Sequence, residues 1–186
     1  MELLPRLELG LWNGWILLAS YNAVYGILLL IFKRQVVARL YDRSKWSRKE
    51  RQLSAGGKIF ILAWFVLAIF TPLHTQHTVF TLGLILWFLG LVGFVVALLN
   101  FNATPLDQPV TRGLYQISRN PQQVSIFIAY VGISLTMGSW LSLLLITIGI
   151  TWGHVRVLAE EETCLKNYGD AYREYMARVP RYFLFF

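Results

Sequence analysis

Read for apolar and polar positions, the chain divides into long uncharged runs separated by polar, mostly basic segments. No Asp, Glu, Lys or Arg falls between Glu8 and Lys33, between Lys58 and Asp107, or between Arg119 and Arg156. A helix of about 20 apolar residues crosses a hydrocarbon core of about 30 Å. The first run predicts a span over 11–32, ended by Lys33-Arg34. The second run holds two spans, 59–73 and 79–100, with Pro72 at the exit of the first and Asn100 to Pro105 breaking the second. The short uncharged loop 74–78 makes these two antiparallel neighbours.

The third run, 123–155, is too long for one crossing. Gly138-Ser139 divides it into arms 123–137 and 139–155, each short for a span, which predicts a helical hairpin turning near the far interface. Gly149 and Gly153 stand at GxxxG spacing, which permits close helix contact, although ordinary small residues in a membrane helix explain them equally well. Between the spans lie a polar segment 33–58, read as a partly helical amphipathic surface stretch with Trp46 as an interfacial anchor, and a connector 105–122. The tail 156–186 is expected to be helical to about Arg178 and to turn at Val179-Pro180. The fold expected is all-α: a polytopic membrane helix bundle of about five transmembrane helices with a C-terminal cytoplasmic helical tail, forming a single membrane domain over 1–186.

Composition agrees with this reading and adds orientation. Only 15% of residues are charged and 56% are hydrophobic, so lipid, rather than water, must be the solvent for most of the surface. The net charge of +7 flanks the apolar spans, which argues against nucleic acid as a partner. With 33–58 inside, sixteen of the seventeen Lys and Arg residues are cytoplasmic and only Arg6 is not. The positive-inside rule then puts the N-terminus outside and the C-terminus in the cytoplasm, in a bacterial inner membrane or an endomembrane. A cleavable secretory signal is not expected, because the first run has no basic stretch before it and no Ala-x-Ala-like site after it. The single Cys164 excludes an internal disulfide, and His74, His77 and His154 do not make a metal site; the first two fall in a loop read as solvated.

Two polar segments hold more special residues than plain loops need. In 110–123, Gly113 allows a turn or close approach to a ligand, Tyr115 offers a ring face, and Asn120-Pro121 can open a helix whose free N–H groups suit a carboxylate. A simple capped loop is the competing explanation for this segment. In 156–162, Arg156 and Glu160 are four apart and share a helix face. Arg156 ends a 36-residue charge-free stretch, and an ionisable residue at that depth is a site candidate by default. Glu161 and Glu162 are expected to be a solvated acidic face. The set suits a sulfonium cofactor: Glu160 would accept from an amino group or ribose, Tyr115 would pack on adenine, amides near Pro121 would hold a carboxylate, and Arg156 would orient the acceptor.

At these positions the sequence resembles the isoprenylcysteine carboxyl methyltransferase and phospholipid N-methyltransferase superfamily of membrane enzymes. The resemblance rests on Gly113-Leu-Tyr115, Arg119-Asn120-Pro121, the hairpin, Arg156-x-x-x-Glu160, Gly169-x-x-Tyr172-x-x-Tyr175 and Val179-Pro180, in that order over about 100–182. It implies an S-adenosyl-L-methionine site built from 105–122 and 156–182. Val110, Gly113, Tyr115, Asn120, Pro121, Gln123 and Glu160 fall at cofactor-binding positions, and Arg156 at a catalytic or acceptor-orienting one. Tyr172 and Tyr175 would close the tail over the site. The implied acceptor is a membrane lipid or a lipidated or hydrophobic small molecule, with a phospholipid amine preferred to a prenylcysteine carboxylate. Two positions depart from the family pattern: Asn120 replaces a common histidine, and Gln122-Gln123 replaces a common aromatic. The alternatives are a non-catalytic scaffold or lipid-binding protein of the same fold, and a membrane reductase of similar topology, which no phosphate-binding motif favours.

Overall fold

The structure, a computed structural model, describes residues 1–75 and 78–183. Among these residues it is helical, with no strand and two isolated β-bridges. Helix α1 is Trp15–Ile31, and α2, Arg34–Leu40, and α3, Arg48–Gly56, form the basic segment. Helix α4, Lys58–Phe70, follows α3 almost without a break, and α5 is Thr78–Asn102. Helix α6, Pro121–Thr136, and α7, Trp140–Tyr168, make the hairpin, and α8, Asp170–Arg178, is the tail.

Among the described residues, three stretches are long and apolar enough to cross a membrane: 48–70, 79–102 and 140–168. Five apolar helices are present, but α1, α4 and α6 have only 17, 13 and 16 residues, and α4 reaches span length only together with α3. At a rise of 1.5 Å per residue α6 is about 24 Å long. The protein is thus an integral membrane helix bundle.

One feature of the hairpin matters for the site. Helix α7 is 29 residues long and passes without a break from the second arm into the tail, carrying Arg156 to Tyr168 past the start of α6. Gly138 (φ +64°) makes the turn, and Ser139 caps α7 by accepting from the Ser142 N–H at 3.1 Å. Arg156 lies as far after that turn as Pro121 lies before it. Two antiparallel arms of equal length therefore bring Arg156 level with the N-terminus of α6.

Packing inside the bundle uses small residues and shared polar groups. A Cβ on Gly90 would overlap the Ala129 backbone, and one on Gly132 would overlap the Trp87 backbone, so α5 and α6 touch main chain to main chain. Of the GxxxG pair, Gly149 packs under Ile61 of α4, and Gly153 has only Gln123 nearby. Trp64 of α4 donates to Ser134 of α6 at 2.8 Å, and the Ser142 hydroxyl of α7 lies 2.9 Å from that of Ser134. The Trp64 ring stacks on Tyr130, with centroids 4.6 Å apart.

The first span begins at Trp15, not Leu11, because residues 1–14 form an irregular strap across the far helix ends. The backbone groups of Glu2 pair with Gly138 O and Trp140 N, and the buried Asn13 amide donates to the carbonyls of Glu8 (2.7 Å) and Ile69 (2.9 Å). These contacts satisfy backbone groups that helix termini leave open. His74 is half-buried, its backbone N–H on the Thr136 carbonyl, while His77 lies outside the described residues. Trp46, expected as an interfacial anchor, is instead 5% exposed and lies under the Arg43 guanidinium.

Candidate functional site

The connector between α5 and α6 is fastened at its start. Asn100 Oδ1 accepts from the Leu114 N–H at 2.9 Å. Gly113 sits at φ +58°, where a side chain would be strained and would collide with Asn100. That turn launches a short 3-10 helix, Gly113–Gln116, which buries Tyr115. The Tyr115 hydroxyl accepts from Gln122 Nε2 at 2.8 Å, and its carbonyl accepts from the Tyr175 hydroxyl at 2.6 Å. Burial pushes the Tyr115, Tyr172 and Tyr175 phenols above their ordinary range, so all three stay neutral.

Two ion pairs follow on adjoining faces of α7. Arg156 and Glu160 meet at 2.7 Å, with side chains 41% and 38% exposed. Glu161 faces the other way and is 3% exposed, against the expectation of a solvated acid. Its Oε1 accepts from Arg119 Nε at 3.1 Å and Asn120 Nδ2 at 3.0 Å, and its Oε2 pairs with Arg181 at 3.0 Å. Arg119 also donates to the Met176 carbonyl at 2.8 Å. Connector, α7 and tail are thus locked around one buried carboxylate. A helical reading of 156–162 contains the signal for this: Glu161 follows Val157 by four residues, and Val157 is fully buried. Glu162, by contrast, is exposed as expected and pairs with Lys166.

A cavity of about 180 Å³ opens where these pieces meet. Of the residues chosen from sequence, Val110, Tyr115, Asn120, Gln123, Arg156 and Glu160 line it. Gly113 and Pro121 do not line it; the first turns the chain toward Tyr115, and the second is the first residue of α6. The Asn120 amide is turned to Glu161 and, at 3.4 Å, to the Arg181 carbonyl. Tyr172 and Tyr175 also reach the cavity wall.

The basic segment supplies a wall that sequence reasoning missed. Arg39, Leu40 and Asp42 line the same cavity. Arg39 donates to the carbonyls of Pro105 (3.0 Å) and Gln108 (2.6 Å), and its guanidinium lies 5.0 Å from the Phe101 ring centre and 5.7 Å from that of Tyr168. No spacing rule links position 39 to 105–108; only the fold does. Asp42 accepts from the Ser44 N–H at 2.9 Å, which holds its carboxyl below the usual range and keeps it anionic. Basic segment, connector and tail therefore share one end of the bundle. Two residues before Arg156 on α7, His154 Nδ1 lies 2.9 Å from the Tyr182 hydroxyl.

Comparison with known proteins adds a family to this geometry. Residues 73–171 match the family model described as phospholipid methyltransferase. Over 73 residues the chain is 33% identical to the protein-S-isoprenylcysteine O-methyltransferase of Schizosaccharomyces pombe, covering 38% of this chain and 30% of that protein. The matched part is thus less than a third of the relative's length. No solved structure matches.

Proposed function

We propose that this chain, which belongs to the phospholipid methyltransferase family, transfers a methyl group from S-adenosyl-L-methionine to an acceptor that reaches the site from the membrane. The observation that carries the proposal is the convergence of Arg156, Glu160, Tyr115 and Asn120 on one cavity at the basic end of the bundle. By the positive-inside rule that end faces the cytoplasm, where a soluble cofactor has access.

The donor set fits such a cofactor. It offers one carboxylate on the cavity wall in a half-exposed ion pair, the neutral amides of Gln122 and Gln123, and the aromatic ring of Tyr115. When bound, S-adenosyl-L-methionine supplies a methyl group made electrophilic by its sulfonium. The chain's own work is positioning, which methyl transfer mainly requires. Glu160 is suited to accept from an amino group or ribose hydroxyl. Arg156, already held in place by Glu160, presents its remaining guanidinium donors to a carboxylate or phosphate of the acceptor. Tyr115 is fixed at its hydroxyl and at its carbonyl, so its ring forms a rigid wall. The phospholipid amine remains the preferred acceptor, because the basic end of the bundle suits anionic headgroups.

One observation favours the scaffold alternative: the Asn120 amide, at the position where many family members carry histidine, is held by Glu161. Calorimetry with S-adenosylhomocysteine separates the two. Catalytic membership requires binding by the purified protein and weakened binding by Glu160→Ala. No binding by the native chain, or equal binding by the variant, would overturn the cofactor assignment.

A further inference from the structure

A second cavity, of about 430 Å³, lies within the basic segment itself, lined by Arg43, Ser44, Trp46, Arg51, Ser54 and Lys58. Three of these side chains are cationic, and no carboxylate lines the cavity. The two acids of the segment are engaged elsewhere. Asp42 accepts from the Ser44 N–H and lines the first cavity, and Glu50 accepts from the Ser47 N–H at 2.6 Å to complete the capping box of α3. That reciprocal cap also means the α3 N-terminus is already satisfied from within.

An independent feature of the same cavity points to a ligand. Trp46 is only 5% exposed, and its indole N–H is buried with no hydrogen-bond partner in the protein. Buried donors are nearly always paired, and Trp46 lines this cavity, so a small side-chain shift would give its N–H an acceptor on an occupant. The Arg43 guanidinium lies 5.1 Å from the centre of the Trp46 ring, and Arg51 spends one of its donors on the Arg43 carbonyl at 3.1 Å, which ties two cations to one rim. The three cations and the indole N–H can only donate, and the two serine hydroxyls can donate too, so the cavity suits an anion with several acceptor oxygens.

We propose that this cavity binds a phosphate group, held by Arg43, Arg51, Lys58 and the Trp46 N–H. Two sources carry this chemistry: the headgroup of an anionic lipid and free inorganic phosphate. The site is separate from the proposed reaction and stands or falls without it.

The test uses the full chain in a non-ionic detergent, with native mass spectrometry during titration with dioleoyl phosphatidylglycerol. Arg51→Gln with Lys58→Gln removes two cavity charges. Lys33→Gln with Arg34→Gln removes the same charge from exposed positions outside the cavity. The cavity pair is expected to weaken lipid binding by at least about tenfold, and the outside pair by no more than about twofold. Trp46→Phe removes the indole N–H together with part of a buried ring, so its thermal unfolding is checked first; it is expected to weaken binding several-fold, about the effect of one hydrogen bond to a charged group. Displacement of the lipid by millimolar inorganic phosphate assigns the site to free phosphate; retention of the lipid assigns it to the headgroup. Equal losses in the two charge pairs, or full binding by Trp46→Phe, would show diffuse surface attraction and overturn the proposal, as would the absence of binding by the native chain. Should the cavity pair fail to fold, Trp46→Phe alone decides.

Discussion

Arg156–Glu160 and Arg119–Glu161–Arg181 use the same two residue types, with their glutamates on successive positions of α7, yet do different things. Both sets reach the wall of the same cavity, but the first pair is half-exposed. The second set is buried, with Arg119 and Glu161 side chains 3% and 4% exposed, and both oxygens of Glu161 are used within the protein. A buried charge with every partner supplied from within has a structural task, because removing one partner strands the others in low dielectric. A half-open pair contributes little stability and keeps donors and acceptors that a ligand can use. Burial and satisfaction, rather than residue type, separate the lock from the site.

The comparison breaks most sharply at Glu161. Glu161→Ala leaves two arginines facing each other without a counter-charge, so a loss of about 3–5 kcal/mol is expected. Thermal unfolding in detergent measures it. Connector and tail should loosen together, since Ser118, Arg119 and Asn120 all bond to Glu161 or to the tail carbonyls. Unchanged unfolding would mean the lock is not what holds the two segments.

A smaller effect is expected at Tyr175, whose hydroxyl donates to the buried Tyr115 carbonyl. Tyr175→Phe keeps the ring and leaves that carbonyl without its partner, for a loss of about 1–3 kcal/mol. Hydrogen exchange at 113–118 would show the connector opening more often while α5 and α6 keep their protection. Uniform loss of protection across the bundle would contradict the local role.

Much of this arrangement can be read from the chain because lipid imposes simple rules. Charge-free runs mark the spans, and Gly138-Ser139 sets the hairpin turn from which Arg156 and Pro121 are equally distant. The family motifs 113–115, 119–121 and 156–160 likewise identify the cavity's wall before any coordinates. What is not legible has a physical reason in each case. Residues 11–14 of the strap continue the first charge-free run, and only their pairing with helix ends elsewhere in the chain sets them apart from a span. Arg39 joins the cavity through main-chain carbonyls, which leave no trace in residue identity. Glu161 is hidden among three consecutive acids, where composition suggests solvent and only the four-residue step from the buried Val157 suggests otherwise.

The finest test compares two pairs that differ in little but place. Glu162–Lys166 has the same i,i+4 spacing as Arg156–Glu160, a contact of 2.6 Å against 2.7 Å, and side chains of similar exposure, 53% and 46% against 38% and 41%. Spacing, contact distance and solvent screening are therefore nearly matched, while the basic residue and the order of the charges along the helix differ. Of these two pairs, Arg156–Glu160 lines the cavity and Glu162–Lys166 does not. Glu162→Gln and Glu160→Gln should both leave thermal unfolding almost unchanged, because exposed pairs contribute at most about 1 kcal/mol. Affinity for S-adenosylhomocysteine should fall about tenfold or more in Glu160→Gln alone, the cost of one charge-assisted hydrogen bond. If both variants lose affinity alike, the effect is general electrostatics at the basic end of the bundle, and Glu160 has no direct hold on the ligand.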